Sequence, residues 1–221
     1  MPLHELIKPF YLKLADDYRS KLVVGQICIA SVLYTYENRE IWRPLTLDGS
    51  GTSATAFKIE PQPGDAYTSG LLLHTPRLEA YEEFPVVRAK RRPVIALVPK
   101  QQEISLKEHG GLMKVNKKLV TVAPCYSVVN QQDECKTDKS FLERVSNLEF
   151  PHFMFLPHDA CIPKDSLLRL DSIHHTFHPH LEPKQYALAP DIVKILLGQL
   201  ERIFGTGNGD AYVEARSILL A

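Results

Sequence analysis

Short apolar runs broken by turn residues set the limits on what this chain can become. Leu22 to Tyr34 is rich in β-branched residues and reads as a strand partly buried on both faces. Val94 to Val98 follows Pro93, and Leu119 to Ala123 runs into Pro124, Cys125, Tyr126 and Ser127. Phe150 to Leu156 is aromatic and apolar and stops at Pro157, His158 and Asp159. Asp165 to Ile173 then leads two leucines into Arg169-Leu170-Asp171. Against these strand patterns stands one clear helix, Pro190 to Phe204. Ile192, Val193, Leu196, Leu197, Leu200, Ile203 and Phe204 share a face, with Pro190 suited to the first turn and Gly205 to the C-terminal cap. Such a mixture predicts an α+β domain, a small barrel-like sheet closed by a C-terminal helix.

The flanks are less regular. Leu3, Leu6, Ile7, Phe10, Tyr11 and Leu14 give residues 3–20 a one-sided helical spacing, with Pro9 inside it or in its first turn. Residues 37–80 are polar and turn-rich, with Asp48-Gly49-Ser50-Gly51 and Pro61-Gln62-Pro63-Gly64, and read as an insertion after the first strand. Trp42 and Arg43 fall within it, either stacking on a base or pinning their own loop. Residues 210–221 read as a short helix or a docking tail. A length of 221 residues fits one domain carrying that insertion, with residues 1–20 as an N-terminal extension.

Charge narrows the partners. Lys plus Arg and Asp plus Glu balance at 26 each, so no global basic field exists and a nucleic-acid partner needs a local patch. Arg88, Lys90, Arg91 and Arg92 form one such knot, either a solvated hairpin end or a phosphate holder. Cys28, Cys125, Cys135 and Cys161 show no Cys-x-x-Cys spacing, which suggests reduced thiols. No apolar run approaches about 18 residues, so no membrane partner and a cytoplasmic location are expected. His174, His175, His178 and His180 crowd one segment. A structural metal site wants two separated ligand pairs, usually with cysteines, so the segment reads as a loop of ordinary or RNA-contacting histidines, and no metal or cofactor is expected.

The period of two places Arg169 and Asp171 on one strand face. That pattern is either a surface ion pair or two halves of a site that binds and cleaves a phosphodiester.

Four stretches, in order, resemble the MazF/PemK (Kid) type of toxin, an endoribonuclease family of the CcdB/MazF fold. They are Arg91-Arg92-Pro93-Val94-Ile95-Ala96-Leu97, Leu119 to Ser127, Leu167-Leu168-Arg169-Leu170-Asp171, and the helix from Val193 to Phe204. The resemblance spans about residues 22–36 and 84–205. It implies a small SH3-like β-barrel acting as a homodimer, metal-free cleavage of single-stranded RNA at short sequences, and an antitoxin that blocks the groove. It carries Arg92, Ser127, Arg169 and Asp171 into the catalytic site, and Tyr126 stands where family members tend to have threonine.

The chemistry asks for a base for the ribose 2′-hydroxyl, a cation for the phosphorane and an acid for the leaving 5′-oxygen. Asp171 is the expected base, although a carboxylate near its ordinary pKa of about 3.9 is a weak one. Arg169 is assigned to the phosphorane, Arg92 to a phosphate clamp, Ser127 to a hydrogen bond, and His158 or His174 to proton donation. Arg88, Lys90, Arg91, Tyr126, His174 and His175 are the expected RNA contacts. The alternative is a non-catalytic binding module of the same fold that acts on a protein such as DNA gyrase, with Arg169 and Asp171 as a structural salt bridge.

Overall fold

The computed structural model describes residues 2–33, 40–47, 54–59, 85–86, 89–98, 119–132 and 134–221. They divide into two compact units, residues 1–31 with 91–221, and residues 32–90.

The smaller unit holds three strands after β1 (Tyr11–Lys13) and β2 (Gln26–Leu33): β3 (Glu40–Leu47), β4 (Ala54–Ile59) and β5 (Pro85–Val86). They pair antiparallel in the order β4-β3-β5. Trp42 and Arg43, expected in a loop, stand in β3 opposite Lys58 and Phe57. Polar and turn residues masked their strand period. Leu71 to Leu73 lies outside the described residues.

The larger unit carries β6 (Ala89–Val98), β7 (Leu119–Ser127), β8 (Phe153–Leu156), β9 (Ser166–Arg169), β10 (His174–Phe177) and β11 (Glu182–Leu188). Among the described residues its sheet runs β1-β11-β2-β6-β7-β9-β8, with β10 added on β7. This path is open: β1 and β8 are its two ends and do not pair with each other. An SH3-like barrel buries its inner face by wrapping the sheet round on itself. Here helices cover that face instead. Ile95, Ala123, Cys125, Met154 and Leu168 pack in one core with Ile192, Ile195 and Leu196 of α3 (Pro190–Phe204) and Tyr212, Ala215 and Leu219 of α4 (Asp210–Leu220). The expected barrel is therefore corrected to an open eight-stranded sheet in an α+β fold. The MazF/PemK toxin–antitoxin resemblance, which implied that barrel, is corrected with it.

Other differences have local causes. The one-sided stripe of residues 3–20 yields only a short helix, α1 (Leu3–Leu6), followed by β1. Pro9 lacks an N–H and its predecessor avoids helical backbone, so the helix cannot pass it. A further helix, α2 (Lys139–Ser146), starts where Asp138 accepts the Phe141 N–H at 2.8 Å. The histidine segment is a strand, β10, followed by a 3-10 turn over His178–His180.

The helix α3 occupies the residues its pattern indicates. Gly205 caps it at φ +66°, with its N–H bonded to the Glu201 carbonyl. Gly25 ties the sheet to this helix. Its N–H donates to the Ala96 carbonyl at 2.8 Å, and its φ is +83°. A Cβ there would meet the Val193 side chain at 2.6 Å.

The C-terminal helix is fastened through one buried hydrogen bond. The Tyr212 hydroxyl donates to the Leu148 carbonyl at 2.8 Å. Tyr212→Phe leaves that carbonyl unpaired, and urea unfolding is expected to show a loss of about 1–3 kcal/mol. Unchanged stability would show that the bond does not hold α4 to the loop after α2.

Candidate functional site

Strand β7 positions the site. It pairs with β6 on one side, and on the other with β10 at its start and β9 at its end. Alternate side chains leave it on opposite faces. Ala123 and Cys125 enter the core beneath α3, while Val120 and Val122 are fully buried on the other face. Tyr126 belongs to that second face, at the end of the strand, and is half-buried.

A cation from each flanking strand reaches its ring. Val94 lies opposite Pro124, so the same register sets Arg92 opposite Tyr126. The Arg92 guanidinium carbon stands 4.4 Å from the Tyr126 ring centroid. On the other side Tyr126 lies opposite Leu167, and Arg169, two residues further along β9, reaches back to 5.5 Å from the same centroid. Arg169 in turn lies opposite Phe153 of β8, its guanidinium 5.9 Å from that ring. A row of cation, aromatic, cation, aromatic thus crosses β6, β7, β9 and β8. Such contacts contribute roughly 0.5–1 kcal/mol each where exposed, so they orient side chains more than they hold the fold. Phe141 of α2 packs edge-on against Phe153 at 5.6 Å and walls the row at its far end.

Asp171 reaches the row by a different route from the one its spacing implies. The strand ends at Arg169, and Leu170–Ser172 forms a 3-10 turn. Leu170 enters the core and its N–H donates to the His152 carbonyl at 2.9 Å. The turn brings the Asp171 carboxylate onto the Arg169 fork. Nε donates to Oδ1 at 2.9 Å and Nη2 to Oδ2 at 2.5 Å. The two side chains are 27% and 28% exposed, so the pair is neither buried nor free in solvent. The hydrogen bond from Arg169, with that residue's charge, holds the Asp171 carboxyl below its ordinary 3.8, outweighing partial desolvation.

The remaining expected residues separate. Ser127 follows Tyr126 and points to the opposite face. Its hydroxyl donates to the Val129 carbonyl at 2.8 Å and accepts the Val129 N–H at 3.2 Å, a local turn bond. Arg91 leaves β6 opposite to Arg92 and pairs with Glu182 at 2.6 Å. Lys90 is exposed on β6, and Arg88 lies outside the described residues. His158 pairs with Asp165 in an exposed loop, Nδ1 to Oδ1 3.5 Å.

The two strand histidines lie beside β7. His175 Nδ1 is 3.0 Å from the Thr121 hydroxyl. His174 lies opposite Val122, on the face that carries Tyr126. Its Nδ1 is 3.2 Å from the Ser172 carbonyl, an acceptor, so Nδ1 carries the proton in the neutral ring. Its Nε2 is buried and has no hydrogen-bond partner among the described residues. Sequence reasoning missed Phe153 as a member of the row, although the aromatic run 150–156 contains it.

Among the described residues no group of three His, Cys, Asp or Glu side chains is placed to hold a metal ion. The cysteines are free thiols, and burial pushes Cys28 up to about 12, which leaves it a poor nucleophile. No described helix is long and apolar enough to cross a membrane. No family model, curated protein or solved structure matches the chain.

The lowered carboxyl has a pH consequence. A depressed folded pKa contributes stability that is present above the ordinary value of 3.8 and lost as pH falls through the folded value. Solvent screening keeps the pair on the order of 1 kcal/mol or less. Denaturant unfolding of the protein and Asp171→Asn across pH is expected to show a constant gap above about pH 5 that closes in stronger acid. A gap independent of pH would place the carboxylate outside the pair.

Proposed function

We propose that the face around Tyr126 binds single-stranded RNA, and that the protein is an endoribonuclease acting there by metal-independent attack of the 2′-hydroxyl. One observation carries this reading: Arg92 and Arg169, from separate stretches of sequence, meet at one aromatic ring, and Asp171 is bound to the second of them. Two guanidiniums beside a ring are the chemistry that single-stranded RNA asks for. Phosphates take the cations, and a base finds a π-face or a guanidinium plane to stack on.

The roles divide by geometry. Arg92 and Arg169 hold phosphate oxygens and offset the charge of the phosphorane. The 2′-oxygen forms a bond to phosphorus while the bond to the 5′-oxygen breaks. The 2′-hydroxyl proton passes to the Asp171 carboxylate, and the 5′-oxygen takes a proton from solvent. The products are a 2′,3′-cyclic phosphate and a 5′-hydroxyl. Ser127 has no part in this version, because its hydroxyl is bound to Val129 on the other face. The antitoxin and the homodimer rested on the resemblance alone. The gyrase-binding alternative rested on the same barrel.

A second reading is RNA binding without cleavage. It is favoured by the low pKa of Asp171, which makes that carboxylate a poor base while Arg169 holds it.

Incubation of the purified protein with a mixed single-stranded RNA, with and without chelator, decides between them. The expected result is cleavage that survives chelation and leaves 2′,3′-cyclic phosphate ends. Arg92→Ala and Arg169→Ala should each slow it by about 100-fold or more. Intact RNA that co-migrates with the protein would establish the binding reading. Intact RNA that does not bind, or cleavage indifferent to both variants, would overturn the site.

A further inference from the structure

The Arg169–Asp171 pair has the shape of an occupied phosphate site. A guanidinium presents two parallel N–H groups, and that fork receives two oxygens of a carboxylate or of a phosphate in the same way. Asp171 fills it with both oxygens, at 2.9 Å and 2.5 Å. We propose that Asp171 is an internal phosphate mimic: it occupies the Arg169 fork in the resting protein, and an RNA phosphate must displace it to bind. This inference rests on the RNA reading above and adds a regulation of that site.

Three features favour an exchangeable contact over a fixed one. First, the carboxylate and the guanidinium are both partly open to solvent, so water is at hand to accept the carboxylate when it leaves. Second, the turn that carries Asp171 is anchored by other groups. Leu170 is buried in the core with its N–H on His152, so the carboxylate can swing away without dragging β9. Third, a second cation, Arg92, stands 4.4 Å from the same ring's centroid. Arg92 and Arg169 both lie within 5.5 Å of the Tyr126 centroid, so a phosphodiester entering beside Tyr126 meets two guanidiniums where Asp171 meets one. The Ser172 hydroxyl, 3.4 Å from Asp171 Oδ1, is a neighbour able to receive the released carboxylate.

Displacement also changes the chemistry of Asp171. The bond to Arg169 is the largest cause of its lowered pKa. A carboxylate freed from that bond is a stronger base than one held by it. RNA binding at Arg169 would therefore expose the base at the moment the phosphate arrives, and a resting protein would hold a weak base and a blocked cation. The affinity observed for RNA is the intrinsic affinity reduced by the fraction of molecules with the fork open.

The test separates binding from cleavage by using a fluorescein-labelled 2′-O-methyl oligoribonucleotide of mixed sequence, which lacks the attacking hydroxyl. Fluorescence polarisation at low salt is compared for the protein, Asp171→Asn, Asp171→Ser, and each of these in an Arg169→Ala background. Circular dichroism confirms that each variant is folded. Asp171→Asn and Asp171→Ser are expected to bind about threefold to tenfold tighter than the protein itself, because no carboxylate competes with the phosphate for the Arg169 fork. In the Arg169→Ala background the gain should vanish. On unmodified RNA the same two variants should cleave more slowly despite tighter binding, since the base is gone. Equal or weaker binding by both variants would overturn the displacement while leaving RNA binding at Tyr126 in place. A gain that persists without Arg169 would overturn it too, by assigning the effect to the loss of a negative charge anywhere nearby. Absence of binding by all the proteins would overturn the RNA reading itself, and the displacement with it.

Discussion

The register of β7 is the constraint on which the site depends. This strand is hydrogen-bonded to β6 along one edge and to β10 and then β9 along the other. It is buried on both faces through its middle, with Ala123 and Cys125 on one and Val120 and Val122 on the other. A slip of one residue would exchange those faces, sending Tyr126 into the core beneath α3 and exposing Cys125. The apolar burial on each side forbids that. Tyr126 is therefore fixed where β7 emerges, and Arg92 and Arg169 are fixed beside it by the same two pairings. The cluster needs no special loop, because it follows from three adjacent strands with alternating side chains.

Around that frame the electrostatics are poised between holding and binding. Arg169 is committed to Asp171 through both arms of its fork, yet the pair sits at a half-open rim where water competes with it. A fully buried pair of this kind would be costly to open, and a fully exposed one would carry no directional preference. Arg92 stands by the same ring, 4.4 Å from its centroid. This intermediate burial is what the proposed exchange between a resting ion pair and a bound anion rests on.

Much of the scaffold was legible in the sequence where several local signals agreed. For α3, Pro190, a continuous apolar face and Gly205 all marked one segment, and the helix runs over those residues. The cores of β6 and β7 showed as β-branched runs next to prolines. Pro9 is visible in the N-terminal stripe, and it stops the helix that the stripe suggests. For α2 the signal was present in Asp138 followed by Phe141, Leu142 and Val145, but charged neighbours diluted it. The histidines of β10 looked like a loop because imidazoles carry no strand period. Whether a sheet closes on itself is not a local property. The short strands and closing helix suggested a barrel, while the decisive facts are the added strands β1, β10 and β11 and the helices packed across the core face.

The site shows the same division. Spacing linked only Arg169 with Asp171, and a 3-10 turn rather than strand alternation delivers that carboxylate, while Arg92 and Tyr126 join Arg169 through strand register. Ser127 does not join them, and the reason was readable: it is adjacent to Tyr126 on one strand and must face the other way. The most direct measurement of the central claim is arginine side-chain Nε–H NMR during titration with a short single-stranded RNA. The expected result is that the Arg92 and Arg169 signals move together and saturate, while that of Arg91, paired with Glu182 on the other side of β6, stays in place. Saturating shifts confined to other arginines, with Arg92 and Arg169 unmoved, would contradict it.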